Sequence, residues 1–343
     1  MKAVLLTQLN SPLEVVNVEP ATPKIGQILV KNIVSGLCGS QLLEISGNKG
    51  NGKFLPHLMG HEGCGIVSAL GAGVTKVKVG DKVVMHWMKG SGIESDFPLY
   101  LYKGRMITSG KVTTLSEYSL VSENRVTVVP ENTNPEVCAL LGCSLTTALG
   151  VINNDAQVKF GESVLIIGCG GVGLNLIQGA KLAGAYPIIV VDVSDEKEQV
   201  AKSLGCSHYV NVKKSNISDV VGKGGVDNII DTTGNPSAIK VGLPLLADSG
   251  KFIMVGHPTK GNDTVEIMAA NHMFSGKGKT IKASQGGQTN PDVDIPRYVK
   301  LFNAGLLNVE SMITNRFSLD QINDAIEELK SGKAGRIIIK CHE

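Results

Sequence analysis

The hydrophobic pattern is most regular from about residue 164 onwards, where short apolar runs alternate with amphipathic stretches. The apolar runs predict strands at 164–167, 188–191, 209–212, 228–232, 251–255 and 280–283. The amphipathic stretches predict helices near 174–182, 197–204, 236–246 and 265–272. Strands that alternate with helices in this way indicate an α/β fold with a doubly wound parallel sheet.

The first part of the chain has the period of two that is typical of half-buried strands. Strands are predicted at 4–7, 13–18, 27–35, 115–121 and 126–129, and together they indicate a small β-barrel-like unit. A short helix is expected from Ser40, and another at 135–141. Between 87 and 110 the alternation is interrupted by glycines, Pro98 and aromatic residues, so we expect an irregular lobe or lid there.

The pattern of residues in the last part of the chain, from about residue 284, resembles that of the first part. A helix at 295–303, a strand at 313–317, a helix that runs to Ser331 and a last strand at 336–340 are predicted. We therefore expect one domain made from both ends of the chain, 1–145 and 284–343, with a second domain, 146–283, inserted into it.

The turn after the strand at 164–167 has the spacing Gly168-x-Gly170-x-x-Gly173, with Gly171 inside it. These glycines allow a tight turn, a close approach of pyrophosphate to the backbone and close packing of helix on strand. Asp192, about 20 residues after the turn, can accept hydrogen bonds from ribose hydroxyls and repels a 2′-phosphate. The pattern predicts a Rossmann domain that binds NAD rather than NADP.

Composition narrows the class of protein. The 343 residues are 42% hydrophobic, carry a net charge of +2 and include no apolar run near the ~20 residues that a membrane-spanning helix needs. Without a basic block, neither nucleic acid nor a membrane surface is expected as a partner. The first residues lack a cleavage site for a signal peptide, and the seven scattered cysteines form no disulfide framework, so we expect a cytoplasmic protein.

Two cysteines and one histidine suggest a metal site. Cys38 lies between two glycines, His61 follows another glycine and precedes Glu62, and Cys143 opens a helical stretch. Taken singly, a free cysteine is usually a small core residue. Two thiolates and one imidazole would leave a fourth position open on a zinc ion, as in catalytic rather than structural sites.

Over nearly its full length the chain resembles the zinc-dependent medium-chain alcohol dehydrogenases. The matching motifs are GLCGS at 36–40, GHEGCGIV at 60–67, VGDKVV at 79–84, GCSLTTALG at 142–150, GCGGVG at 168–173 and VVDVSDEK at 190–197. The resemblance implies a GroES-like β-barrel catalytic domain, a Rossmann domain that binds NAD, and a homodimer or homotetramer. It also implies hydride transfer between NAD and a small-molecule alcohol, or its aldehyde or ketone.

The resemblance implies roles for residues of the catalytic domain. Cys38, His61 and Cys143 match the zinc ligands, Glu62 matches the acid beside the metal, and Ser40 matches the hydroxyl that relays the proton.

It also implies roles around the cofactor and the substrate. Thr147 and Val172 match residues that hold the nicotinamide, and Lys197 matches a base near the adenosine ribose. Trp87 matches the aromatic wall of the substrate pocket, and Arg336 matches an arginine that meets the pyrophosphate and Glu62.

The chain departs from the family pattern at three places. Many relatives bind a structural zinc through four cysteines in the lobe, whereas residues 86–111 contain no cysteine, so we expect one zinc per chain. Leu43 stands where a histidine often ends the proton relay. Gln41 replaces an acid that orients the zinc-bound histidine, a role that its carbonyl oxygen could fill more weakly.

Two other functions stay open at this point. A polyol, sugar or cyclitol dehydrogenase would have the same fold, although such enzymes commonly carry Glu at the position of Cys143. A zinc-free NAD-dependent reductase, or a nucleotide-binding protein without catalysis, fits less well because Cys38, Ser40, His61 and Cys143 are all present.

Overall fold

The computed structural model describes residues 1–49, 52–259, 261–267 and 277–342. The chain divides into two compact units. The first unit consists of Met1–Thr146, Asn290–Gly305 and Ile313–Glu343, and the second of Thr147–Thr289 and Leu306–Met312.

The strands have the following bounds. They are β1 (Lys2–Leu6), β2 (Glu14–Asn17), β3 (Glu19–Pro20), β4 (Gln27–Leu37), β5 (His57–Leu58), β6 (Glu62–Leu70), β7 (Lys82–His86), β8 (Leu99–Tyr102), β9 (Arg105–Thr108), β10 (Tyr118–Ser122), β11 (Val126–Val128), β12 (Val164–Ile167), β13 (Ile188–Asp192), β14 (His208–Asn211), β15 (Val226–Asp231), β16 (Leu246–Met254), β17 (Thr280–Ala283), β18 (Ile313–Ser318) and β19 (Arg336–Lys340).

The α-helices are fewer than the strands among the described residues. They are α1 (Gly39–Ile45), α2 (Pro135–Leu140), α3 (Ser144–Gly150), α4 (Gly171–Leu182), α5 (Glu198–Leu204), α6 (Pro236–Gly242), α7 (Pro291–Asn303) and α8 (Ile322–Ser331).

The second unit is built on a six-stranded sheet in the order β14-β13-β12-β15-β16-β17, with every neighbouring pair parallel. Its strands are apolar because both faces of such a sheet are covered, and Leu165, Ile229 and Phe252 are fully buried. The order reverses direction between β12 and β15, which in this fold places ligands at the carboxyl ends of the strands. The predicted α/β class with a doubly wound parallel sheet is confirmed.

The first unit is organised around one large sheet, in the order β11-β7-β6-β4-β19-β18, to which β10 adds by pairing with β4. The last strand of the chain, β19, lies antiparallel to β4, with Ile338 opposite Gly36. This pairing joins the end of the chain to its beginning in one sheet. Leu37, Ile337 and Ile339 are buried in the core that results.

Residues 284–289 and 306–312, which the sequence pattern grouped with the two ends of the chain, contact the second unit. The side-chain amide of Asn154 donates to the carbonyl oxygen of Gly287 at 2.9 Å. The N–H of Asn308 donates to Oε1 of Gln178 at 2.6 Å. These hydrogen bonds hold both segments to the second unit.

Local structure differs from the pattern in three places. Residues 87–110 contain the antiparallel hairpin β8–β9, turned by Lys103 and Gly104 in the left-handed region (φ 48° and 74°). The predicted helix at 236–246 ends at Gly242, because Pro244 cannot continue it. Of the predicted helix at 265–272, residues 265–267 are not helical and the rest lies outside the described residues.

The lobe also contains a cluster of charges around Glu94. Its carboxylate accepts hydrogen bonds from Arg125 at 3.1 Å and from Asn124 at 3.0 Å, and lies within 3.4 Å of the Lys89 and Lys111 ammonium groups. Arg125 also donates to the carbonyl oxygen of Trp87. These contacts connect the cysteine-free lobe to the short turn between β10 and β11. No described helix is long and apolar enough to cross a membrane.

Candidate metal and cofactor sites

Three loops at one edge of the large sheet carry the candidate metal ligands. Cys38 directly follows β4, and His61 directly precedes β6. Because β4 and β6 are antiparallel, with Ser35 opposite Gly63, these two residues lie at the same edge of the sheet. Cys143 follows α2, which packs on both strands.

The ligand atoms of Cys38, His61 and Cys143 all lie within 4.8 Å of one another. The structure therefore brings together three residues that are widely separated in the sequence, and all three belong to the first unit. Within the described residues no other group of three or more histidines, cysteines and acids has this geometry. Two sulfurs and one ring nitrogen are the donor set that Zn²⁺ prefers, so the residues present fit that ion.

The electrostatics of the cluster favour a thiolate. The hydrogen bond from the Cys143 thiol is the main cause that lowers the pKa of Cys38 well below its usual range, and His61 and Arg336 lower it further. Burial of Cys38 opposes these effects but does not outweigh them. The same hydrogen bond and burial raise the pKa of Cys143. Burial lowers the pKa of His61, but the hydrogen bond and charge of Cys38 outweigh it, so the net shift is upward. A thiolate is the form of cysteine that binds metals.

Glu62 and Arg336 form a buried ion pair beside the cluster. Nη2 of Arg336 donates to Oε1 of Glu62, and the two side chains are 4% and 0% exposed. Oε2 of Glu62 and Nε of Arg336 have no hydrogen-bond partner among the described residues. Burial raises the pKa of Glu62, and Arg336 opposes this only in part. The contact of Arg336 with Glu62 is present, whereas its role toward pyrophosphate stays a prediction.

Helix α1 presents two polar side chains to His61. The Ser40 hydroxyl oxygen lies 3.5 Å from Nδ1 of His61. Nε2 of Gln41 lies 2.6 Å from the same nitrogen, and its carbonyl oxygen accepts from the N–H of Cys38 at 2.9 Å. The carbonyl oxygen of Gln41 thus faces the backbone rather than His61, contrary to the role expected of it from the sequence.

A cavity of about 180 Å³ borders His61, and Trp87 forms part of its wall. Sequence reasoning missed three charged residues that also line it: Glu44, Lys49 and Lys111. Glu44 could have been found, because it follows Ser40 by four residues on α1 and therefore lies on the same face of the helix. The lysines have no comparable local signal, since their place beside His61 depends on how the loops fold.

In the second unit the glycine turn follows β12 as predicted. Gly168 has φ +93°, and a Cβ atom on Gly173 would lie 2.1 Å from the carbonyl oxygen of Gly168. Helix α4 begins at Gly171, three residues earlier than the hydrophobic pattern indicates, with Gly170 at its N-cap. Val172 is therefore in the first turn of the helix, and free N–H groups at a helix N-terminus can bind an anion.

Asp192 ends β13 and reaches back to the glycine turn. Its carboxylate accepts hydrogen bonds from the N–H groups of Cys169 and Val193, both at 2.7 Å, and of Ser194 at 3.1 Å. Lys197, five residues later, is at the N-cap of α5. Thr147 is buried at the start of the second unit.

A larger cavity, of about 580 Å³, lies at the carboxyl ends of β15, β16 and β17. Gly234, Val255, His257 and Ser284 are among its lining residues. The sequence analysis did not single out these residues, although Val255 ends a predicted strand and the other three follow one. Ligands of doubly wound sheets bind at this end of the strands.

Comparison with known proteins agrees with both units. Residues 24–131 match the family model described as alcohol dehydrogenase GroES-like domain, and residues 171–304 match the one described as zinc-binding dehydrogenase. The chain is 30% identical to alcohol dehydrogenase 6 of Peromyscus maniculatus, over 98% of this chain and 97% of that protein. It is also 30% identical to S-(hydroxymethyl)glutathione dehydrogenase of Escherichia coli O1:K1, over 96% of each.

Among solved structures, benzyl alcohol dehydrogenase from Acinetobacter calcoaceticus superposes with a TM-score of 0.90 and 26% identity, over 99% of both chains. The likeness extends over both units of this chain, the one that carries the Cys-His-Cys cluster and the one that carries the glycine turn. The chain belongs to the zinc-dependent medium-chain alcohol dehydrogenase family.

Proposed function

We propose that this chain interconverts a primary or secondary alcohol and its aldehyde or ketone, with NAD as the hydride carrier and one zinc ion per chain. The observation that carries the proposal is the cluster of Cys38, His61 and Cys143, with all ligand atoms within 4.8 Å. The first unit would be the catalytic domain and the second the NAD-binding domain, close to the predicted division into 1–145 with 284–343 and 146–283.

Zinc and NAD supply the chemistry that protein side chains cannot. When bound, zinc acts as a Lewis acid toward the substrate oxygen and the nicotinamide exchanges a hydride with the substrate carbon. Cys38, His61 and Cys143 would hold the metal. The cofactor would be held by Gly168, Gly170, Gly171, Val172, Gly173, Asp192, Lys197, Thr147 and Arg336.

Side chains of the first unit would transfer the proton, exclude water and supply charge beside the metal ligands. Oγ of Ser40, which lies 3.5 Å from Nδ1 of His61, would accept the proton of the substrate hydroxyl and release its own hydroxyl proton to water. The ring of Trp87 would exclude water from the apolar part of the substrate. Glu62, paired with Arg336, would place a buried negative charge behind the ligands.

Asp192 supports the choice of NAD over NADP. Both of its oxygens already accept backbone hydrogen bonds, which fixes the carboxylate at the end of β13 beside the glycine turn. A fixed negative charge at this place would repel the 2′-phosphate of NADP.

A metal count combined with a substrate panel tests the proposal. The panel would contain ethanol, benzyl alcohol, a vicinal diol and S-(hydroxymethyl)glutathione, each with NAD and with NADP. We expect one zinc per chain by elemental analysis, and loss of both zinc and activity in Cys143→Ala. Cys206→Ala, which removes a buried cysteine of the second unit, is the matched control and should retain both. Activity that survives Cys143→Ala with a chelator present would refute the proposal.

A polyol or sugar substrate is the second candidate. The charged residues Glu44, Lys49 and Lys111 that line the cavity at His61 favour it, because several hydroxyl groups need several polar partners. The same panel separates the two candidates: kcat/KM at least tenfold higher for the diol than for benzyl alcohol would favour the polyol.

The oligomeric state and location stay predictions. A homodimer or homotetramer in the cytoplasm, acting on a small molecule without nucleic acid or membrane, is what we expect. Light scattering of the purified chain would give the number of subunits.

A further inference from the structure

Gln41 holds two neighbours of the candidate metal site. It is the third residue of α1 and is 1% exposed. Its Oε1 accepts from the N–H of Cys38 at 2.9 Å, and its Nε2 lies 2.6 Å from Nδ1 of His61. The backbone of one candidate ligand and the ring of another therefore meet at a single side-chain amide.

The hydrogen-bonding capacity of an amide is unequal at its two ends. Oε1 accepts, whereas Nε2 can only donate. Because Nε2 of Gln41 lies against Nδ1 of His61, that ring nitrogen is not open to a metal, which leaves the Nε2 of His61 as the ligand atom. A histidine that gives Nε2 to a metal carries its proton on Nδ1 and needs an acceptor there.

The Ser40 hydroxyl, at 3.5 Å from Nδ1 of His61, is at the outer limit of a hydrogen bond and is a weak acceptor for it. The site thus presents two N–H donors to the single good acceptor, the carbonyl oxygen of Gln41. If the amide stays as it is, Nδ1–H of His61 faces a donor. If the amide rotates by half a turn, His61 is satisfied but the N–H of Cys38 faces a donor instead. The side chain is buried, and a donor left without an acceptor in such a place costs free energy.

We propose that Gln41 is a positioning residue that limits how tightly the Cys38, His61 and Cys143 site holds its metal, and that a carboxylate at this position would tighten it. The inference rests on the proposed zinc site. A glutamate has nearly the same shape and offers two acceptor oxygens, one for the N–H of Cys38 and one for Nδ1–H of His61.

The chain offers a matched control in Gln321. Gln321 is also the third residue after an N-cap, and its Oε1 accepts from the N–H of Ser318 at 3.0 Å, as Gln41 does from Cys38. It belongs to the first unit but is exposed and lies outside the metal cluster. Gln321→Glu therefore repeats the same substitution in the same local motif.

The experiment measures the dissociation constant for Zn²⁺ of the full chain by competition with a chromophoric chelator at constant pH. We expect Gln41→Glu to bind Zn²⁺ about 10–100-fold more tightly than the unmodified chain, the range seen when such outer partners are changed. Gln321→Glu should bind as the unmodified chain does. Equal or weaker binding by Gln41→Glu would overturn the inference while leaving the zinc site itself in place. If neither Gln41→Glu nor the unmodified chain bound Zn²⁺, both this inference and the proposed zinc site would be overturned.

A third variant separates the missing acceptor from the added charge. Gln41→Leu has no acceptor and no charge, so we expect it to bind Zn²⁺ several-fold more weakly than the unmodified chain. If Gln41→Leu bound Zn²⁺ like the unmodified chain, the gain in Gln41→Glu would come from charge alone, and the acceptor argument would be wrong. Circular dichroism establishes that each variant is folded before its affinity is compared.

Discussion

Replacing Glu94 with glutamine tests how the lobe is held in the absence of cysteines. The substitution keeps the shape of the side chain and removes the charge that Arg125, Lys89 and Lys111 face within 3.4 Å. Arg125 is only 14% exposed, so it would lose its charged partner in a place that water reaches poorly. We expect the first unit, and the lobe in particular, to be less stable.

The size of the effect follows from the pKa of Glu94. Burial would raise this pKa, but hydrogen bonds from Asn124 and Arg125 and the nearby positive charges lower it to about 2. A shift of this size corresponds to roughly 3 kcal/mol for a fully buried group. The side chain is 24% exposed and screened by solvent, so we expect a loss of about 1–2 kcal/mol. For a unit of this length that lowers Tm by about 3–6 °C.

The pH dependence has a definite sign. Because the folded-state pKa is lower than the ordinary 4.5, the ion pairs stabilise the fold fully above pH 4.5. This stabilisation is lost as the pH falls from 4.5 to about 2. Glu94→Gln should therefore lose less stability than the unmodified chain over that interval.

The assay can follow the lobe directly. Trp87 is the only tryptophan of the chain, and its carbonyl oxygen accepts a hydrogen bond from Arg125, so its fluorescence reports on this region. Glu327→Gln, which breaks an exposed pair with Lys330, is the control and should change stability by less than about 0.5 kcal/mol. A Tm for Glu94→Gln within 1 °C of that control would refute the reasoning.

Three further predictions concern the rest of the chain. Arg336→Met leaves the Glu62 carboxylate buried without its partner, so the free energy of unfolding, measured by urea titration, should fall by about 3–5 kcal/mol. The double variant Glu62→Leu, Arg336→Met has no unpaired buried charge and should regain most of this loss. Burial lowers the pKa of His86 to about 4, so the histidine takes up a proton more readily in the unfolded chain, and the free energy of unfolding should fall by about 3 kcal/mol as the pH falls from 6.5 to 4. His86→Gln should remove this dependence of stability on pH. An unchanged dependence in His86→Gln would contradict its assignment to His86. Asp192→Asn should lower the ratio of kcat/KM for NAD over NADP at least tenfold, and a constant ratio would mean that another group sets the preference.

The sequence alone was sufficient for features that depend on neighbouring residues. The six parallel strands and the glycine turn at 168–173 follow from hydrophobic period and from the conformations that only glycine adopts easily, and both are local properties. The motifs that indicated the family are short and local as well. The hairpin β8–β9 had such a signal too, in the Lys103-Gly104 pair between two short runs that contain apolar residues, but the surrounding glycines and Pro98 obscured it.

Only the tertiary structure decided which distant residues meet. The antiparallel register of β4 and β6 places Cys38 beside His61, and the pairing of β19 with β4 brings Arg336 to Glu62 from the far end of the chain. The direction of the Gln41 amide is also a tertiary result, because the N–H of Cys38 and the ring of His61 compete for it. Hydrophobic pattern determines which face of a strand is buried, but the register between strands determines which loops share an edge, and the chemistry of this chain lies in those loops.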